Sequence, residues 1–278
     1  MDRFGISTGC FYDRSLLSVI DVLADKGFAT LEMCSNPMHL DYTDAREVEK
    51  AAARLEEKNM RVESFHAPFG SDIDVSSPDP KQQEQSLETI RTAVDAAHTF
   101  KARFFTIHPG PETQSNKKDA THARRMNIMI NSLEQIRKKC CEYGVTLALE
   151  NILPHLDFGN HTERDLIFNA VSSEGKGFCL DTGHAFLEKR LERILNRYAR
   201  FLSLIHAHDN NGSRDNHLEP GKGKIDWSRF FQRLEQTGYN GPIIIELDRC
   251  SGESDAECLD RATRGIQYLK QMEGRSDG

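Results

Sequence analysis

The stretch "VTLALENILPHLDFGNHTERDLIFNAVSSEGKGFCLDTGHA", residues 145–185, decides the fold. It opens on an apolar run, "VTLALEN" (145–151), passes through an amphipathic segment at 162–174, and closes on a second apolar run, "GFCLDTGHA" (177–185). Unbroken apolar runs separated by a helical pattern are the mark of parallel strands, which need a crossover and are buried on both faces. Both runs end in a reactive side chain, Glu150 and Asp181, and His184 follows directly.

Working outward, the same unit recurs along the whole chain. Further short, β-branched or aromatic runs stand at "FGISTG" (4–9), "TLEMCS" (30–35), "RVESFHAPF" (61–69), "RFFTIHPG" (103–110), "LSLIHAHD" (202–209) and "PIIIELDR" (242–249), which makes eight in all. Amphipathic segments lie between them. "SLLSVIDVLADKG" closes on Gly27, a C′ residue, and "TDAREVEKAAARLEEKN" opens with Thr43 or Asp44 as its cap. Others fall at about 80–99, 120–143, 187–199, 227–237 and 254–272. Eight strand–helix units predict one (β/α)8 TIM barrel spanning residues 1–278, and the 278-residue length matches the roughly 250 such a barrel needs. A doubly wound open sheet is the alternative, but "STGCFYDRS" after the first strand carries no G-x-G-x-x-G phosphate turn.

Composition sets outer limits on function. Hydrophobic residues make up 38% and charged residues 28%, which is globular rather than disordered. No apolar run approaches the roughly 20 residues of a membrane span, and "MDRFGISTGCFYDRS" lacks the basic start and apolar middle of a signal peptide, so the expected location is the cytoplasm. The seven Cys form no C-x-x-C pair, which argues against a disulfide framework and against a thiolate zinc site. With a net charge of −7 and only "EKRLERILNRYAR" (188–200) as a basic segment, composition gives no encouragement to nucleic-acid binding, although a local basic groove on an acidic protein leaves it open. Self-association into a homo-oligomer also stays open.

In such a barrel the site forms at the C-terminal ends of the strands. Six consecutive strands finish there in metal-binding or acid–base residues: His66, His108, Glu150, Asp181 with His184, His206 and Glu246. The seventh strand runs on into "IHAHDNNGSRDNHLEPGKG" (205–223), a loop that drapes over the site and can return Asp215 and His217 to the same centre. His206 and His208 share one parity and face inward if Ile205 and Ala207 pack toward the helices. Any one of these residues alone is more often a satisfied polar group or a cap than a ligand. Together they crowd charge at a closed mouth, which bound divalent cations relieve most simply. Imidazole mixed with carboxylate and no thiolate suits Zn²⁺, Mn²⁺, Fe²⁺ or Co²⁺ better than Ca²⁺ or Mg²⁺ alone.

With these residues in place the chain resembles the xylose-isomerase-like TIM-barrel superfamily, which includes sugar isomerases and epimerases, inosose dehydratases and endonuclease IV repair enzymes. The resemblance covers almost the whole chain, on "LALEN", "CLDTGHA", "IHAHD" and "IIIELD". It implies one divalent metal held by Glu150, Asp181, His206 and Glu246. "SFHAPF" and "TIHPG" resemble the endonuclease IV branch, implying that His66 and His108 join Glu150 at a second metal; His184, Asp215 and His217 resemble the ligands of a third. The chain departs from that branch at its first strand and at "ENILPHLDFGNH", and the basic, glycine-rich loops that would grip a duplex are not apparent.

Two mechanisms follow from the resemblance. A small-carbohydrate isomerase or epimerase with one ion would use Glu150 and Glu246 as alternating base and acid, with His184 beside them and His208 and His217 orienting substrate hydroxyls. A trinuclear phosphodiester hydrolase, as in apurinic-site endonucleases, would use all nine ligands. The balance favours the isomerase or epimerase, since the basic surface is missing. A non-catalytic, ligand-binding barrel is a third class, disfavoured because so many ionisable groups at one mouth cost stability. Glu32 is expected to be an exposed rim carboxylate, Lys222 and Lys224 solvated, and Asp209 and Asn210 to orient His206 or cap a turn. His39, His98 and His122 are expected to play no part in the site.

Overall fold

The structure is a computed structural model and describes residues 2–115 and 120–276. Eight parallel strands, β1 (Phe4–Ser7), β2 (Thr30–Cys34), β3 (Arg61–His66), β4 (Phe104–Ile107), β5 (Thr146–Glu150), β6 (Lys176–Asp181), β7 (Leu202–Ala207) and β8 (Ile243–Ile245), pair in sequence order and close through β8 onto β1. The helices α1 (Leu16–Asp25), α2 (Ala45–Glu57), α3 (Pro80–Thr99), α4 (Ala120–Glu142), α5 (His161–Ala170), α6 (Thr182–Leu187), α7 (Leu191–Tyr198), α8 (Trp227–Glu235) and α9 (Asp255–Ser276) lie between and after them. The chain is therefore a (β/α)8 barrel, as its alternating pattern predicts. Among the described residues no helix is long and apolar enough to cross a membrane.

Local chemistry places the helix ends. Asp44 accepts the amide of Arg46 at the start of α2, and Asp79 does the same for Lys81 ahead of Pro80 at the start of α3. Gly27, at φ +84°, ends α1 in the left-handed conformation that a side chain would resist. One expectation is corrected. The pattern at 187–199 is not one helix, because the chain breaks at Glu188–Arg190, with Lys189 at φ +57°, before α7 begins. Ahead of the break, α6 starts with no intervening loop at the tip of β6, where Asp181 caps it by accepting the amide of His184 at 2.6 Å. The pattern at 162–174 likewise stops at Ala170, where Val171 turns extended.

Strand alternation decides what faces the barrel axis. Ala148, Cys179, Leu204 and Ile244 form, with Phe104, a small buried cluster of their own inside the barrel. The intervening Leu149, Leu180, Ile205 and Ile245 belong to the larger core under the helices. Because side chains repeat every second residue, the next inward positions toward the C-terminal mouth are Glu150, Asp181, His206 and Glu246. The apolar layer is thus the floor of the site. Ile205 and Ala207 pack outward, so His206 and His208 face inward as anticipated.

The loop from β7 to α8 is organised by Asp209, which is fully buried. Its carboxylate accepts hydrogen bonds from the amides of Asn210 (2.9 Å), Gly221 (3.0 Å) and Ile225 (3.1 Å) and from the indole Nε1 of Trp227 (3.0 Å). Its backbone pairs in both directions with Leu218 at 2.8 Å. Gly223 is needed beneath it, since a Cβ there would stand 2.2 Å from Asp209 Oδ1. Asp209→Ala would strand several buried donors at about 1–3 kcal/mol each. It is expected to lower unfolding free energy by at least about 3 kcal/mol in a urea titration; a loss under about 1 kcal/mol would show that the loop does not depend on Asp209.

Candidate metal centre at the barrel mouth

Glu150, at the tip of β5, is the hub of the site. Its Oε2 faces His66 Nε2 at 3.3 Å and His108 Nε2 at 3.4 Å, while its Oε1 faces His206 Nδ1 at 3.5 Å and His184 Nδ1 at 3.7 Å. Glu246 Oε2 lies 3.3 Å from the same Nδ1. Asp181 turns toward the neighbouring imidazole, with its carboxylate oxygens 2.9 and 3.1 Å from His208 Nε2. The draped loop returns as expected: Asp215 Oδ2 meets His184 Nε2 at 3.0 Å and His217 Nε2 at 3.2 Å. His208 stacks on His217 with ring centroids 3.8 Å apart.

Among the described residues several groups have ligand atoms close enough to share an ion, including His66, His108 and Glu150; Glu150, Asp181 and His184; His184, His208, Asp215 and His217; Glu32, His206 and Glu246; and Glu150, Cys179 and His206. The four residues Glu150, Asp181, His206 and Glu246 come together as overlapping pairs rather than as one compact set, Glu150 and Glu246 meeting at His206 and Asp181 joining through Glu150 and His184. His206 Nδ1, His208 Nδ1 and Asp215 Oδ1 are buried and have no hydrogen-bond partner. Orphaned lone-pair donors beside carboxylates fit a divalent cation well.

Electrostatics agree with that fit. Burial opposes ionisation of Glu150, yet the imidazoles of His206 and His108 outweigh it and hold the carboxyl well below its usual range. Glu246 is pushed up by burial, reinforced by the like charges of Glu32 and Glu150. Burial disfavours the charged imidazole of His184, but Asp181 and Asp215 lift it to about 10. His108 rises to about 10 against the same burial, through Glu150 and Glu112, and His217 to about 9 through Asp215.

A cavity of about 270 Å³ opens above the centre. His66, His108, Glu150, His184, Asp215, His217 and Glu246 line it, with apolar walls from Phe69, Ile152, Leu153, Leu156 and Leu247. Asp181, His206 and His208 lie beneath, out of its lining. Among the described residues no Lys or Arg lines it.

The expectation for Glu32 is corrected: it is fully buried, and its Oε2 sits 2.9 Å from His206 Nε2 and accepts from Ser64 Oγ at 2.7 Å. Its position between Leu31 and Met33, which pack outward, was the available signal. Glu112, whose Oε1 is 3.5 Å from His108 Nδ1, and Tyr12, whose hydroxyl meets Cys34 Sγ at 2.8 Å, also border the cavity and carried no motif. Asp209 organises the loop and Asn210 Nδ2 donates to the carbonyl of Gly183 at 3.0 Å. Lys222 and Lys224 are exposed. His39 meets the carbonyl of Arg14, His98 stacks on Tyr143, and His122 pairs with Glu163, all outside the cavity lining.

A closed parallel barrel with an imidazole–carboxylate cluster at its C-terminal mouth defines a class of enzyme-bearing barrels. The chain belongs to the xylose isomerase-like TIM barrel family, which its residues 20–272 match. It is 28% identical over 256 residues to an uncharacterized protein of Methanocaldococcus jannaschii, covering 88% of this chain and 83% of that one. It is 25% identical over 239 residues to a probable endonuclease 4 of Halothermothrix orenii, covering 78% and 83%. Among solved structures it resembles a D-tagatose 3-epimerase-like protein with a TM-score of 0.84 at 22% identity, over 99% of this chain and 98% of that one.

The raised imidazoles give the metal-free protein a pH signature. A group whose folded pKa exceeds its unfolded value near 6.5 contributes stability that is fully present below pH 6.5 and fades as pH rises through the folded value. With His217 at about 9 and His184 and His108 at about 10, the urea midpoint of metal-stripped protein is expected to fall between pH 6.5 and 10 and to recover on adding Zn²⁺ or Mn²⁺. A midpoint that is flat or rises across that window, measured by circular dichroism, would contradict the charge pairing.

Proposed function

We propose that this chain is a divalent-metal-dependent isomerase or epimerase acting on a small sugar, sugar phosphate or polyol. One observation carries the reading: Glu150 and Glu246 approach His206 Nδ1 at 3.5 and 3.3 Å and both reach a cavity of about 270 Å³ that has apolar walls and no lining Lys or Arg among the described residues. That volume is near the lower end of small-ligand sites, roughly 300 Å³. Glu150, Asp181, His206 and Glu246 would hold the ion, which when bound polarises a carbonyl and acidifies the neighbouring carbon.

The two carboxyls then divide the proton transfer. In the metal-free protein their environments bias them in opposite directions, Glu150 toward the ionised form and Glu246 toward the protonated one. Glu150 takes the carbon-bound proton and Glu246 returns one from the other side, through an enediolate-like intermediate, with the roles reversed in the reverse reaction. His184 and His217, on the wall of the cavity, orient hydroxyls, and His208 supports them from beneath by its contacts with Asp181 and His217. Phe69, Leu153 and Leu156 exclude water from the exposed carbanion face.

A second reading rests on its own observation, the two outlying groups His66–His108–Glu150 and His184–Asp215–His217. Both are arranged to take further ions, which suits a phosphodiester hydrolase of the endonuclease IV kind, and the relative named endonuclease 4 supports it. Metal analysis separates the two. About one ion per chain, with solvent deuterium entering a ketose and Glu246→Gln lowering turnover by at least about 10²-fold while keeping the fold, is the expected result. About three ions per chain, with cleavage of a duplex holding an abasic site and no exchange on any ketose, would replace the first reading with the second.

A further inference from the structure

We infer that Glu32 is a positioning residue that turns His206 so that Nδ1, and not Nε2, is the nitrogen offered to the ion. The inference rests on the metal-centre reading and adds to it a residue from β2 that no motif marks. Glu32 Oε2 lies 2.9 Å from His206 Nε2 and also accepts the hydroxyl proton of Ser64 at 2.7 Å. An ionised carboxylate only accepts, so the facing Nε2 carries the hydrogen. In the neutral imidazole this leaves Nδ1 as the lone-pair nitrogen.

Nδ1 is placed for that role. It is buried, has no hydrogen-bond partner, and stands 3.5 Å from Glu150 Oε1 and 3.3 Å from Glu246 Oε2. Neighbouring ligands around an ion with bonds of about 2.0–2.2 Å in tetrahedral array are separated by about 3.3–3.6 Å. The two separations therefore match adjacent corners of one coordination shell. Glu32 itself sits on the opposite edge of the ring and is fully buried, with Oε1 unpartnered. A buried carboxylate held by one hydroxyl and one imidazole is a costly arrangement for packing alone. Through the imidazole its charge raises the basicity of Nδ1 and is itself compensated when a cation sits beyond the ring.

The test reads zinc affinity and nitrogen identity rather than turnover. Metal-depleted wild type, Glu32→Gln and Glu32→Ala are titrated with Zn²⁺ while the His206 ring is followed by ¹⁵N NMR. Circular dichroism serves as the folding control. Expected is a zinc-loaded wild type in which Nε2 keeps its proton and Nδ1 carries the metal shift. Affinity at His206 should fall about 10-fold in Glu32→Gln, whose amide oxygen still accepts from Nε2, and up to about 100-fold in Glu32→Ala. Folded variants that bind zinc within about two-fold of wild type, or a wild-type His206 bound through Nε2, would overturn the assignment. If Glu32→Ala fails to fold, Glu32→Gln and the wild-type spectrum still decide. A wild type that binds no divalent ion would remove the metal centre itself, an outcome distinct from failure of the Glu32 role.

Discussion

The structure turns on one electrostatic constraint: Glu150 is a buried carboxylate with imidazoles from four other elements facing its two oxygens. His66 and His108 approach one oxygen, and His206 and His184 the other, all within 3.7 Å. Such a group is tolerable only if its charge is matched at short range, because a buried unpaired carboxylate carries a large desolvation cost. Matching it requires strands far apart in sequence to end at the same height. Barrel closure supplies that condition.

The period of two along each strand does the rest. An apolar residue at one inward position and an ionisable one at the next builds a dry floor of Ala148, Cys179, Leu204 and Ile244 under a reactive layer of Glu150, Asp181, His206 and Glu246. The floor keeps water from reaching the charges from below, so their mutual interactions are stronger than at a surface. The mouth is covered in turn by the loop pinned through Asp209, which delivers Asp215 and His217. A buried carboxylate with four donors is thus used to hold a functional loop, while others nearby are left with unpartnered atoms where an ion can complete them. The contrast separates the structural acid from the reactive ones.

Membership in the xylose isomerase-like family is consistent with both chemistries weighed for the site, and the fold alone does not choose between them. What distinguishes them is local. The absence of lining Lys and Arg around a small cavity, among the described residues, suits a compact neutral or lightly charged substrate, whereas the outlying imidazole–carboxylate groups suit more ions than one.

Taken by itself, the sequence determined the barrel and the roster of reactive strand ends, because both are written in short-range regularities. Apolar runs alternate with helical periods, and six consecutive runs, from the third to the eighth, stop at an imidazole or a carboxylate. Even the return of Asp215 and His217 was legible from their place in a polar loop beginning at His206. Tertiary structure alone decided which atoms meet. Asp181 faces His208 rather than closing one tight four-residue set, and Glu32, expected at the rim, lies buried behind His206. The break between α6 and α7, where Lys189 stands at φ +57°, was hidden as well. The physical reason for the first two is that side-chain direction and burial at a barrel mouth depend on residues of other strands, 27 positions away for Asp181 and His208 and 174 for Glu32 and His206, and no local pattern records which of them meet.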